Sequence, residues 1–239
     1  MCRLIFKRIA NVLCLALLFS VSFIARAQES NLGNWAMYFG NIPLNEKWNI
    51  HAETQYRNFN AVGDLEQFVL RGGIGYNIST NNHNVLAGYA HFWHEPYIAG
   101  TDDKRNFNEH RIWQQFIYRD RIGRVFLQHR YRFEQRFFEG NEQYRLRYFL
   151  SLNIPVTKKT MEKNAVYASV YNEIFVKLDA PFFDRNRFYL AAGYVLHPDL
   201  RLELGWMNQA VLAADAGRLN NRPQFQIAIF HTIRSLQGD

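Results

Sequence analysis

From Asn34 onward the chain alternates apolar and polar residues with a period of two. That spacing belongs to strands, whose side chains point to two faces in turn. In the stretch 48–57 the even positions Trp48, Ile50, Ala52, Thr54 and Tyr56 are apolar or small, and the odd positions Asn49, His51, Glu53, Gln55 and Arg57 are polar. From 68 to 76, Phe68, Leu70, Ile74 and Tyr76 share one face while Arg71 and glycines occupy the other. Between 145 and 154 the face of Leu146, Tyr148, Leu150, Leu152 and Ile154 opposes Arg145, Arg147, Ser151 and Asn153.

The pattern predicts eleven strands, near 34–41, 47–59, 66–78, 83–94, 106–119, 124–137, 143–155, 164–178, 186–196, 200–210 and 223–234. Short or turn-rich connections such as Pro43–Glu46 and His197–Asp199 alternate with longer polar ones such as 60–65 and 95–105. Two connections depart from the rhythm: 138–142 is short for a loop and 156–163 is long for a turn. An up-and-down antiparallel barrel, with tight turns on one rim and loops on the other, has this rhythm. Most of the strands match or exceed the roughly 9–11 residues that a tilted strand needs to cross a bilayer. Aromatics gather near their ends, at Trp48, Tyr56, Phe59, Trp93, Tyr118, Tyr194 and Trp206, as in interfacial girdles. The expected fold class is therefore an all-β, antiparallel, up-and-down transmembrane β-barrel. Bacterial single-chain barrels have even strand numbers, so the expectation is 10–12 strands, meaning ten or twelve, with twelve favoured.

Composition narrows the class. A chain of 239 residues that is 48% hydrophobic and 16% aromatic has too much apolar material to stay disordered. Its mean hydropathy of −0.30 excludes a bundle of membrane helices, each of which needs roughly 20 apolar residues. The one long apolar stretch, Ile9 to Ile24, follows Arg3, Lys7 and Arg8 and precedes Ala25-Arg26-Ala27. This is the anatomy of a secretory signal peptide, with residues 1–27 removed after Ala27 and residues 28–239 forming the barrel. Four cations of the formal charge of +7 lie in that leader, and +3 on the remainder implies no nucleic-acid partner. Both cysteines, Cys2 and Cys14, lie there too, so the rest of the chain has no disulfide. The expected location is the cell outer membrane of a Gram-negative bacterium. Outer-membrane lipid, the barrel-insertion machinery and a small anionic solute are the expected partners.

The segment 124–138 carries Gln128, Arg130, Arg132, Glu134 and Arg136 on one face and Leu127, His129, Tyr131 and Phe133 on the other. An arginine facing lipid at the midplane costs about 2–4 kcal/mol, so this charged face must line the lumen. Neighbouring strands add Arg145, Arg147, Glu173 and Lys177. Glu53, Arg57, Arg71, Glu109, Arg111, Arg187, Arg201 and Glu203 complete the lining. At ten to twelve strands such long side chains largely occupy the interior. They form either a self-neutralising ion-pair network or, because cations outnumber anions, a constricted pathway or pocket for an anion.

Catalytic chemistry has little support in the residues. No histidine is expected at the height of Ser79, Ser151 or Ser169, and His51 beside Glu53 is a routine product of a two-residue period. His91, His94 and His110 flank a loop containing Asp102 and Asp103, a spacing with no metal specificity. No catalytic residue, metal site or cofactor is assigned.

Several blocks resemble a bacterial family known as domain of unknown function 2490, found widely in Bacteroidetes. They are Asn34-Trp35, Glu109 to Gln115, His129 to Arg136, Arg145 to Tyr148 and Tyr171 to Phe175. The resemblance covers nearly all of the chain after the leader. It implies an outer-membrane barrel and supplies no activity. Three functions stay open: a narrow channel or structural and binding component with an Arg/Glu-lined lumen, a barrel hydrolase acting on lipid or lipopolysaccharide, and a soluble periplasmic barrel.

Overall fold

The computed structural model describes residues 32–79, 82–212 and 218–234. The signal-peptide reading and both cysteines lie outside them. Eleven strands are present among the described residues: β1 (Gly33–Pro43), β2 (Trp48–Asn58), β3 (Leu65–Asn77), β4 (His83–His94), β5 (Phe107–Ile122), β6 (Val125–Phe138), β7 (Asn141–Pro155), β8 (Val166–Lys177), β9 (Phe183–His197), β10 (Leu200–Leu212) and β11 (Leu219–Thr232). Each pairs with its sequence neighbour, and β1 pairs with β11, which closes the barrel.

Closure corrects two expectations. The strand number is eleven rather than ten or twelve, and one seam is not antiparallel: β1 runs parallel to β11, from Gly33 opposite Gln224 to Asn41 opposite Thr232. With an odd number of up-and-down strands the first and last point the same way. A parallel ladder still satisfies the edge N–H and C=O groups, with bonds that are slanted but evenly spaced. Consequently β1 starts at the rim of the longer loops, beside the end of β2, and β11 ends at the opposite rim.

The two exceptional connections are real features. Strands β6 and β7 are joined through Glu139-Gly140, with Gly140 at a φ of 72°. That left-handed value suits a residue without a Cβ. The 156–165 connection curls back on itself, Val156 N–H donating to Val166 O at 2.8 Å and Asn164 N–H to Val195 O at 2.7 Å. On the other rim the 95–106 loop leans on the 59–64 loop, where Tyr97 Oη donates to Asp64 at 2.9 Å and Lys104 Nζ to Leu65 O at 2.7 Å. The contact with Asp64 raises the Tyr97 phenol pKa above its ordinary value.

Polarity is inverted relative to a water-soluble barrel. Leu70, Ile74, Ile112, Leu146, Leu190 and Leu204 are exposed on the outer wall, while Glu109, Glu134, Arg132 and Arg145 are buried inside. Charge does not fill the whole interior, however. Three apolar clusters share it, built around Trp113 with Phe92, around Trp35 with Met207, and around Tyr167 with Val195. The first depends on missing side chains. A Cβ on Gly88 would lie 2.6 Å from the Trp113 ring and 2.1 Å from Gly72 O, so the indole packs directly against bare backbone.

Candidate functional site

Strand register places opposite charges side by side on the inner wall. Glu134 faces Arg145, Glu53 faces Arg71, and Glu173 faces Arg187. Direct cross-strand neighbours of opposite sign stabilise a sheet. Two juxtapositions are repulsive, Arg111 with Arg136 and Arg132 with Arg147, and each is bridged by a carboxylate from an adjacent position. Glu109 accepts from Arg136 Nε at 2.6 Å and also from Arg111. Glu134 accepts from Arg145 Nη2 at 2.6 Å and from Arg147, with Arg111 and Arg132 at 3.5 and 3.7 Å.

The network continues through Glu173, which accepts from Arg147 Nη2 at 2.6 Å and Arg130 Nη2 at 2.7 Å. It also continues through Asp184, which accepts from Arg145 Nη1 at 2.8 Å. A separate group joins Arg71, Glu53 and His51, the last at 3.2 Å. Aromatic faces support the cations: the Phe175 ring has Arg147 at 4.4 Å, Arg187 at 4.7 Å and Arg145 at 5.0 Å from its centroid. Such stacking adds attraction where the guanidinium is desolvated.

Of the lining residues read from the sequence, Arg111, Arg130, Arg132, Glu134, Arg136, Arg145, Arg147 and Glu173 meet in this network, and Glu53 stands in the Arg71 group. Glu203 is apart: it accepts from Tyr167 Oη at 2.8 Å and Tyr189 Oη at 3.4 Å. Arg201 stacks on Phe230 at 4.9 Å. Arg57 donates through Nε to Gln55 at 2.8 Å and lies 3.9 Å over Trp35, whose ring also carries Arg187 at 4.9 Å. Arg132 spends its Nε and Nη2 on Gln115 Oε1, at 2.9 and 2.6 Å.

Asp184 is missing from the sequence reading because it falls in the connection ahead of the strand read at 186–196, whereas β9 starts at Phe183. The register between β8 and β9 shifts at Phe175/Val176, and Asp184 is the extra residue of that bulge, so it points inward against the parity of its strand. Gln115, Trp35 and Phe175 share the inward parity, and that is the signal by which they could have been included.

The histidines and serines come out differently. His94 faces inward and reaches Glu109 at 2.9 Å, whereas His91 and His110 stack on the outer wall with centroids 5.0 Å apart. The three therefore do not converge, and among the described residues no group of three metal-ligating side chains forms. One serine does meet a histidine, contrary to expectation: the β3–β4 turn folds Ser79 Oγ back to 2.7 Å from His83 Nδ1. Ser79 Oγ also accepts from the His83 backbone N–H at 3.2 Å, so it caps a turn, and among the described residues no carboxylate orients the ring.

Fold and interior define a closed β-barrel with an apolar outer wall and an arginine-rich ion-pair interior. The chain belongs to the family described as "Protein of unknown function (DUF2490)", whose model matches residues 32–220. No curated protein matches it. Among solved structures it is similar to OmpT (in-vitro folded), an outer membrane protein of Vibrio cholerae, at 12% identity and a TM-score of 0.39. The match covers 79% of this chain and 62% of that one.

Proposed function

We propose that the protein is an outer-membrane barrel whose narrow, arginine-rich lumen admits or holds small anions. The inverted polarity supports the membrane setting: a wall bearing Leu70, Ile74, Leu146 and Leu204 exposes its apolar groups to lipid at no cost, whereas water would penalise them. The leader-like sequence before Gln28 is consistent with export. Among the described residues no helix is long and apolar enough to cross a membrane, which leaves crossing to the strands.

One observation carries the anion reading. Among the described residues eight arginines are buried against five glutamates and Asp184, and two of them, Arg57 and Arg132, are hydrogen-bonded to glutamine amides instead of carboxylates. Among the described residues Arg57 has no carboxylate within ion-pair distance and Arg132 has only Glu134, at 3.7 Å, in a low-dielectric setting that strengthens the field of each. The test is a planar-bilayer measurement across a KCl gradient, run beside thermal stability with chloride or phosphate as titrant. The wild type should show an anion-selective reversal potential or an anion-dependent rise in melting temperature. The double variant Arg57→Gln/Arg132→Gln should lose that response while still folding. Neither response in the wild type, or both unchanged in the variant, would refute the reading.

A further inference from the structure

The outer wall is not uniformly apolar. Below the longer-loop rim, β4 and β5 place Tyr89, His91, Asn108 and His110 on the outward face, with His91 directly opposite His110. His91 Nε2 contacts Asn108 Oδ1 at 2.9 Å, and His110 Nδ1 is hydrogen-bonded to the Tyr89 hydroxyl. Each imidazole thus has one ring nitrogen engaged, His91 through Nε2 and His110 through Nδ1, and a second nitrogen with no protein partner among the described residues. A polar cluster facing lipid costs free energy unless something there bonds to it.

Two hollows run from this cluster toward the other rim. The nearer, about 400 Å³, is bounded by Leu70, Gly72, Tyr89 and His91. The farther, about 830 Å³, is bounded by Ile74, Val85, Ala87, Tyr131 and Leu146 among others. The nearer hollow reaches across β1 to β4 and the farther across β2 to β8; they adjoin on β3 and β4, where His91 to Val85 spans about 20 Å at roughly 3.4 Å per residue. With a strand tilt of about 40° that is about 15 Å of depth, half of a hydrocarbon core roughly 30 Å thick. The nearer hollow exists because residue 72 lacks a side chain. A Cβ on Gly72 would meet only His51 O, at 3.9 Å, so packing does not demand a glycine there, unlike at Gly88.

We infer that this face is a docking site for one diacyl phospholipid, its phosphate and ester oxygens on the Tyr89–His91–Asn108–His110 cluster and its acyl chains in the groove below. The inference rests on the membrane-embedded reading of the barrel. The outward positions of β3 to β5 between the rims hold no lysine or arginine. The donors the cluster keeps free, the Asn108 Nδ2 amide and one N–H or O–H of the Tyr89–His110 pair, suit a single phosphodiester, and the two phosphates of a lipopolysaccharide anchor call for cations.

Native mass spectrometry of the full chain in detergent tests it, with palmitoyl-oleoyl phosphatidylethanolamine as probe and diacylglycerol and lipid A as comparisons. One phosphatidylethanolamine should be retained per barrel, at least tenfold more than diacylglycerol. Gly72→Leu, which fills the groove, and His91→Phe/His110→Phe, which keeps ring volume but removes the nitrogens, should each lower retention about tenfold. Heat-modifiable migration confirms that each variant has folded. Equal retention by folded variants, or equal retention of lipid A, overturns the site while the membrane reading stands. Recovery of the wild type in the soluble fraction without detergent overturns both.

Discussion

Removing the charge of Glu134 should destabilise the barrel by about 3–5 kcal/mol, the usual consequence of breaking a buried ion pair from one side. Glu134 is 1% exposed and lies among four guanidiniums. At an effective dielectric of about 20, each unit-charge attraction at about 4 Å is worth about 4 kcal/mol, so a rigid structure would lose on the order of 10 kcal/mol in Glu134→Gln. The loss is smaller because partners remain. Arg147 keeps Glu173 at 2.6 Å, Arg145 keeps Asp184 at 2.8 Å, and the glutamine oxygen still accepts one bond. Urea unfolding in lipid vesicles, followed by tryptophan fluorescence and gel migration, measures the difference. The double variant Glu134→Gln/Arg147→Gln should recover about 1 kcal/mol relative to the sum of the two single losses, because the orphaned cation leaves with its anion. A loss below about 1 kcal/mol in Glu134→Gln, the scale of exposed ion pairs, would show that water screens the interior and refute a dry network.

Leu146→Arg, on the outer wall at 47% exposure, should cost about 2–4 kcal/mol in lipid vesicles; a change within about 0.5 kcal/mol would be the behaviour of a residue facing water. Gly88→Val should abolish assembly, read as the loss of heat-modifiable migration, because its Cβ would sit 2.1 Å from Gly72 O, whereas Gly72→Ala should migrate as the wild type does. At the β5–β6 turn, Gly123 has a φ of 60°, so Gly123→Val should lower stability by about 1–2 kcal/mol and Gly123→Asn by clearly less in the same urea assay.

Much of the fold was legible because a two-residue period is a one-dimensional signal. The β6 segment shows how directly it reads: Arg132, Glu134 and Arg136 share a parity, and that parity is the buried one. Strand parity also separates Tyr131 and Leu146, both outside, from Trp113 and Phe175, both inside. The reading fails at Asp184, which it left in a connection and which a bulge at the start of β9 turns inward against the parity of its strand. Ser79 and His83 fail similarly, since a turn brings together residues that strand logic keeps at different heights. Strand number failed for another reason. Counting segments yields eleven, but the parity rule describes how known barrels close and is not a requirement of hydrogen bonding.

By itself, then, the order of residues determined which segments are strands and which face of each is charged, because alternation is a local property. Tertiary structure alone decided the parallel seam between β1 and β11, which carboxylate serves which guanidinium, and the pairing of Arg57 and Arg132 with glutamines. It also decided that His91 and His110 lie outside, above a groove, while His94 points inward. Those outcomes depend on register and closure, which bring together residues from strands far apart in the chain. Alternation specifies a face, but not the neighbour across it.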